Sequence, residues 1–182
     1  MELGKTCKPV IVVHSGAGTW HPVPSQPALK SVKEAADTGF NTLRAGGTAV
    51  DAVVDAVALL EDTGIFNAGC SSALNIEKRV EMEASVMNGE TLQAGAAGLL
   101  SDIRNPMRLA RVIMEKTDHV FVVGKGAEEL AQIFNLERRK PATAVQIERY
   151  EAQLKSLLAD SGICYGWLLW LKRIRKFFSL KP

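Results

Sequence analysis

Apolar and polar positions follow two different periods along this chain, and the change from one to the other organises it. Leu29, Val32, Ala36, Phe40 and Leu43 recur at helical spacing and predict a helix that Gly46-Gly47 brings to a stop. Thr48 followed by Asp51 makes a capping box for a second helix, whose buried stripe is expected at Val50, Val53, Val54, Val57 and Leu60. Two helices joined by Gly-Gly predict an antiparallel pair packed on a sheet. Ahead of them, Val10-Ile11-Val12-Val13 is a continuous β-branched run of the kind a buried strand carries, and it ends in the bend His14-Ser15-Gly16-Ala17-Gly18. Trp20 to Pro27 holds three prolines and reads as a loop.

After a small-residue loop from Asp62 to Asn75 the period becomes two. Val80, Met82, Ala84 and Val86 alternate with Glu81, Glu83 and Ser85, the pattern of a half-buried strand. Asn88-Gly89 is the pair a type I′ hairpin turn favours, so Thr91 to Leu100 is expected to return as the partner strand. Asn105-Pro106 opens a helix to about Lys116, His119 to Val123 predicts a further strand, and Ala127 to Phe134 a short helix. Leu136 to Asp160 is charged and mostly polar, with Leu154, Leu157 and Leu158 its strong apolar cluster; it reads as a linker with partial helix.

Composition narrows the class. At 182 residues the chain fits one domain, and 47% hydrophobic with 23% charged residues is ordinary for a globular protein. A balance of 22 basic against 20 acidic residues leaves +2, too little for a nucleic-acid footprint over the whole chain. The basic excess gathers at Lys172, Arg173, Arg175, Lys176 and Lys181. Cys7, Cys70 and Cys164 are odd in number and far apart, so neither a zinc knuckle nor a disulfide framework is indicated, and a reducing compartment is the simpler reading. The N-terminal residues lack the apolar core of a signal peptide. The apolar run Ile163 to Leu171 is about half a membrane span.

Several constellations carry chemistry weakly. The glycine bend at 14–18 lacks the remaining residues of a dinucleotide fingerprint, with His21 where a glycine belongs, and of a P-loop. Ser15 beside His14 is not a nucleophile elbow, because Val13 stands where glycine is needed. His14, His21 and His119 do not share metal-ligand spacing. Glu81 with Glu83, and Asp51 with Asp55, read as solvated faces. The loop from Leu60 to Cys70 differs: Gly64, Ala68 and Gly69 permit tight bending, and its carbonyls must be satisfied, by a hard cation or by ordered water.

Five blocks in order carry a resemblance. They are Val-Ile-Val-Val-His-Ser-Gly-Ala-Gly (10–18), Leu-Arg-Ala-Gly-Gly-Thr-Ala-Val-Asp-Ala-Val (43–53), Leu-Glu-Asp-Thr-Gly-Ile-Phe-Asn-Ala-Gly (60–69), Glu-Met-Glu-Ala-Ser-Val-Met-Asn-Gly (81–89) and Asn-Pro-Met-Arg-Leu-Ala-Arg (105–111). Together they resemble the isoaspartyl peptidase / plant-type L-asparaginase family of N-terminal-nucleophile hydrolases, from Pro9 to about Ile133. The resemblance implies an α+β fold, namely part of an αββα sandwich (the α-subunit portion). It implies amidohydrolase chemistry in which a precursor cleaves itself before a threonine, whose freed amine then activates its own hydroxyl. That threonine lies in a Gly-Thr motif after the family's linker. Here Gly-Thr occurs only at 18–19 and 47–48, and Thr143 is the sole threonine after Ile133, so no catalytic residue is assigned. The main-chain carbonyls of Leu60, Glu61, Thr63, Phe66, Ala68 and Cys70 match the family's sodium-binding loop, which implies a structural sodium ion and no organic cofactor. Asn67 matches a residue that supports the nucleophile's surroundings. Ser15 stands where a glycine is common.

These readings divide the chain into an α-part (1–135), a polar linker (136–162) and an apolar, basic tail (163–182) unlike the family. The function they imply is that of an α-part of an L-asparaginase or β-aspartyl (isoaspartyl) peptidase-like hydrolase, inactive alone, as in a truncated isoform or processed chain. The alternatives are a non-catalytic regulatory protein that pairs with a full-length family member, and a membrane-surface protein using the tail at Trp167–Phe178. Expected partners are a β-part, a paralogue or a second copy of the chain, without nucleic acid, in the cytoplasm.

Overall fold

The computed structural model describes residues 8–16, 25–75, 77–139 and 142–159. The tail 163–182 with Cys164, and also Cys7, His21 and Thr19, lie outside the described residues, as do the side chains of Leu157 and Leu158. In order the elements are α1 (Gln26–Arg44), α2 (Ala49–Asp62), a 3-10 turn (Gly69–Ser71), β1 (Met82–Met87), β2 (Ala94–Leu100), α3 (Pro106–Lys116), β3 (Phe121–Val123), α4 (Gly124–Ile133) and α5 (Ala144–Ala159). The architecture is α+β.

Local chemistry explains most boundaries. Ser25 Oγ accepts the Ala28 N–H to start α1, and Gly46, with φ +89°, ends it. Thr48 and Asp51 form the expected capping box on α2, the Thr48 N–H reaching Asp51 Oδ2 at 2.8 Å and the Asp51 N–H reaching Thr48 Oγ1 at 3.1 Å. Those bonds, with the Arg111 guanidinium 2.6 Å away, hold the Asp51 carboxyl below its ordinary pKa. Asp51 and Asp55 are thus ion-paired to α3, Asp55 through Arg108 at 3.4 Å.

The sheet runs β1-β2-β3, with β1 antiparallel to β2 and β2 parallel to β3. The β2–β3 crossover is α3, as a parallel connection requires. Met82, Ala84 and Val86 of β1 and Gly95, Ala97 and Leu100 of β2 turn toward α3, where Leu109, Ala110, Ile113 and Met114 are buried. A register shift between Met82 and Ala84 keeps that face continuous. The opposite face is bare: Met87, Leu99, Phe121 and Val123 are 56%, 52%, 60% and 43% exposed. Glu81 and Glu83 are exposed.

Four expectations are corrected. Val10–Val13 joins no ladder among the described residues. Ile11 and Val13 pack on the α1–α2 cluster, whereas Val10 and Val12 are 79% and 87% exposed, because nothing described pairs with the run. The fully buried stripe of α1 is Ala28, Ser31, Ala35 and Gly39; of the expected residues Val32 packs half-buried on the same cluster, Ala36 and Leu43 are half-buried, and Leu29 and Phe40 are exposed. At Gly39 a Cβ would lie 2.2 Å from Ile11 Cδ1 and 2.8 Å from the Ala52 carbonyl, so the two helices approach where residues are small. On α2 the expected Val50, Val54 and Leu60 are buried and Val57 packs beside them, but Val53 is 40% exposed, and the small Ala52 and Ala56 are buried against α1 instead. Finally, Asn88-Gly89 is not a two-residue turn. Met87 pairs with Ala94, the Leu92 N–H bonds to the Asn88 carbonyl at 2.8 Å, and Leu92 rather than Gly89 takes positive φ, at +61°. Asn88 Oδ1 instead accepts the Glu90 and Thr91 N–H groups, an Asx-type cap that favours the longer loop.

Candidate functional site

The loop that follows α2 is closed by its own polar groups. Gly64 (φ +71°) and Gly69 (φ +53°) supply the left-handed turns that a side chain would disfavour. A Cβ on Gly69 would fall 2.4 Å from the Glu61 carbonyl oxygen, so the returning strand of the loop lies directly on the C-terminal end of α2. Phe66 is 4% exposed and packs into the α1–α2 cluster, which anchors the loop's middle. Its carbonyl and that of Ala68 converge on one hydroxyl, Ser71 Oγ. The Leu60 carbonyl accepts Thr63 Oγ1–H at 2.9 Å, and the Cys70 thiol points to the Asp62 carbonyl at 3.7 Å.

Of the six residues whose carbonyls were expected to line a cation site, Leu60, Phe66 and Ala68 have main-chain oxygens that accept the Thr63 and Ser71 hydroxyls, and the Glu61 carbonyl lies against Gly69. Thr63 takes part through its hydroxyl. A carbonyl that accepts one hydrogen bond keeps a second lone pair, and main-chain oxygens are donors a hard cation takes, so the chemistry of these residues is compatible with such an ion. Among the described residues no group of three or more His, Cys, Asp or Glu side chains could hold a metal. Asn67 sits at the exposed tip of the same loop, its Oδ1 accepting the Ala73 N–H at 2.7 Å.

The Glu61 side chain escaped sequence reading. It is 4% exposed, and its Oε1 accepts the Met107 N–H at 3.0 Å, satisfying a donor at the start of α3 that Asn105 does not cap. Its Oε2 has no hydrogen-bond partner among the described residues. One signal was available: an Asn-Pro helix start without its own side-chain cap needs an acceptor from elsewhere. Burial pushes the Glu61 pKa up to about 7, with Asp62 adding to the rise; the Met107 N–H, the Asn105 amide and Arg108 oppose it. Next to it, Asp62 accepts both Nε and a terminal nitrogen of Arg104 at 3.0 Å, Arg104 reaches Glu137 at 2.6 Å, and Arg139 lies 3.7 Å from Asp62. Those bonds raise the Arg104 pKa further, and they tie the chain beyond α4 to this corner, where the Ile103–Arg138 bridge also forms.

The sign of the Glu61 effect is definite. The folded chain holds this proton up to pH about 7, the unfolded chain only to about its ordinary value of 4.5. Stability is therefore full below pH 4.5 and is lost as the pH rises to 7, by about 3 kcal/mol. Glu61→Gln, which keeps an acceptor for Met107 and cannot ionise, is expected to abolish that slope. Urea titrations of both proteins at pH 5 and pH 8 check it; parallel pH dependence in the two would contradict the assignment.

His14 and Ser15 lie apart from this loop, on the rim of a cleft of about 410 Å³ between the N-terminal run and α1, and His119 is exposed. No helix among the described residues is long and apolar enough to cross a membrane.

The asparaginase family profile matches residues 7–161. A plant-type L-asparaginase of Pyrococcus horikoshii is 44% identical over 156 residues, covering 85% of this chain and 50% of the relative. An isoaspartyl peptidase/L-asparaginase of Danio rerio is 50% identical over 124 residues, 68% of this chain and 40% of its own length. The isoaspartyl peptidase/L-asparaginase of Homo sapiens is 41% identical over 155 residues, 85% of this chain and 50% of the relative. The chain spans about half the length of the curated relatives it matches.

Proposed function

This chain belongs to the asparaginase family, and on that premise we propose that it is the α-part of an L-asparaginase or β-aspartyl peptidase-like amidohydrolase, whose threonine nucleophile is supplied by a separate β-part. Residues 1–135 are the structural half of an αββα sandwich, and the bare sheet face of Met87, Phe121 and Val123 is where the second sheet packs. The observation that carries the reading is the match of one continuous region, 7–161, to about half of each relative.

The described threonines support it. Thr48, in the one described Gly-Thr pair, spends its hydroxyl on Asp51 Oδ2, 2.8 Å away, as a helix cap. Thr143 Oγ1 donates to Gln146 Oε1 at 3.0 Å at the start of α5. Neither has a free α-amine to act as base, which this kind of nucleophile needs. This chain's own contribution is to hold the surroundings of the reacting threonine. The carbonyls of Leu60, Glu61, Thr63, Phe66, Ala68 and Cys70 would hold a sodium ion, which stiffens the loop electrostatically, and the loop then presents Asn67.

The 182-residue chain alone is expected to keep its intact mass on incubation and to release neither ammonia from asparagine nor aspartate from β-aspartyl dipeptides. Co-expressed with the C-terminal half of the Pyrococcus horikoshii relative, it should form a defined complex that turns over one of those substrates. Turnover by the chain alone would refute the reading. A stable complex without turnover would favour the second one, a regulatory partner of a full-length family member, which the bare apolar face also fits.

A further inference from the structure

One peptide group in the site is gripped from both sides. The N–H of the Ser72–Ala73 peptide is the donor to Asn67 Oδ1 at 2.7 Å, and the carbonyl of the same peptide accepts from Gln146 Nε2 at 3.2 Å. Gln146 lies 74 residues further along, in the first turn of α5, and is 8% exposed; Ser72 is 6% exposed. The glutamine's other atom, Oε1, accepts the Thr143 N–H and the Thr143 hydroxyl, both at 3.0 Å. Its orientation is thereby unambiguous. A carbonyl can only accept and a backbone N–H can only donate, so the reversed amide would lose both contacts.

A peptide unit is planar, with its C=O and N–H held in opposite directions. Whatever fixes the direction of the Ser72 carbonyl therefore fixes the direction of the Ala73 N–H, and with it the position of the Asn67 amide. We propose that Gln146 is a positioning residue for Asn67, acting through the Ser72–Ala73 peptide. This rests on the reading of Asn67 as support for the nucleophile's surroundings. It gives α5 a role in the site: the helix carries the buried amide that sets the loop's tip. The contacts of Lys78 with Glu151 at 2.9 Å and with the Tyr150 ring at 5.7 Å dock the next turn of α5 on the same segment, but they are exposed and weak.

The role is separable from helix capping. Gln146→Glu keeps an acceptor for Thr143, so α5 stays capped, and at pH 8 it offers no donor to the Ser72 carbonyl. In the full chain, NMR should show the Ala73 amide exchanging about tenfold faster in this variant, with displaced Asn67 side-chain amide resonances and unchanged protection of α5 amides. Unchanged Ala73 exchange and unmoved Asn67 resonances would overturn the proposal. In the co-expressed complex the same variant should lower kcat about tenfold while KM stays within about twofold, the signature of a misplaced supporting group. An unchanged kcat alongside altered Asn67 resonances would also overturn it. If the wild-type complex shows no turnover, the functional reading of this chain fails, and the NMR comparison alone still decides whether Gln146 sets Asn67.

Discussion

Gly95→Val is expected to cost the chain about 3 kcal/mol or more, a large share of the roughly 5–15 kcal/mol that holds a domain folded. Gly95 sits in β2 where α3 crosses it, and a Cβ there would lie 2.3 Å from the Ala110 carbonyl oxygen, 2.4 Å from the Met114 nitrogen and 2.7 Å from Met114 Cβ. Two of those atoms are helix backbone, which cannot step aside as a flexible side chain can. The helix must lift, and Val86, Ala110 and Met114, now packed together, would lose contact. Thermal melts should show a drop on the order of 10 °C, at about 2–4 °C per kcal/mol for a chain of this size. Gly89→Ala serves as the control, because a Cβ there meets nothing within 4 Å and its φ is not positive. That substitution should shift the melt by no more than about 0.5 kcal/mol. Equal melts for the two variants would mean that α3 does not approach β2 this closely.

Gly69→Val is expected to open the loop after α2 and remove its response to sodium. The substitution places a β-branched residue at φ +53°, which costs about 1–2 kcal/mol by itself, and puts its Cβ 2.4 Å from the Glu61 carbonyl. With the carbonyls forced apart, a cation that binds only the folded chain can no longer add stability through mass action. Melts in sodium chloride against N-methylglucamine chloride at matched ionic strength measure this. The wild-type chain should melt higher in sodium, and the Gly69→Val variant equally in both. Thr63→Ala should retain the sodium response. It loses the hydroxyl bond to the Leu60 carbonyl at 2.9 Å, worth about 1 kcal/mol, and the longer one from the Ile65 N–H at 3.4 Å, but removes no main-chain oxygen. A sodium response lost in Thr63→Ala and kept in Gly69→Val would reverse the assignment of ligands from main chain to side chain.

What local sequence determines is visible at the element starts. The Thr48–Asp51 capping box, the Asn105-Pro106 opening of α3 and the alternation of Met82, Ala84 and Val86 all depend on atoms within a few residues, so residue type and spacing suffice to read them. The run of five family blocks likewise pointed to the asparaginase family, because each block is a local string. Facing and pairing were a different matter. On α1 Leu29 and Phe40 marked an exposed face, since helix–helix contact selects Ala35 and Gly39 for their smallness, a demand set by α2. The Val10–Val13 run carries strand chemistry, yet a ladder needs a neighbour that its own residues cannot provide. Asn88-Gly89 had the composition of a tight turn, and the pairing of Met87 with Ala94 made the loop longer. In the site, the glycines and carbonyls of the 60–70 loop were readable as a bend with oxygens to satisfy. The buried carboxylate of Glu61 on α3 and the amide of Gln146 on the Ser72 carbonyl were not. Each contact joins positions 46 or 74 residues apart, and only the packing of α3 and α5 brings those atoms within hydrogen-bond distance.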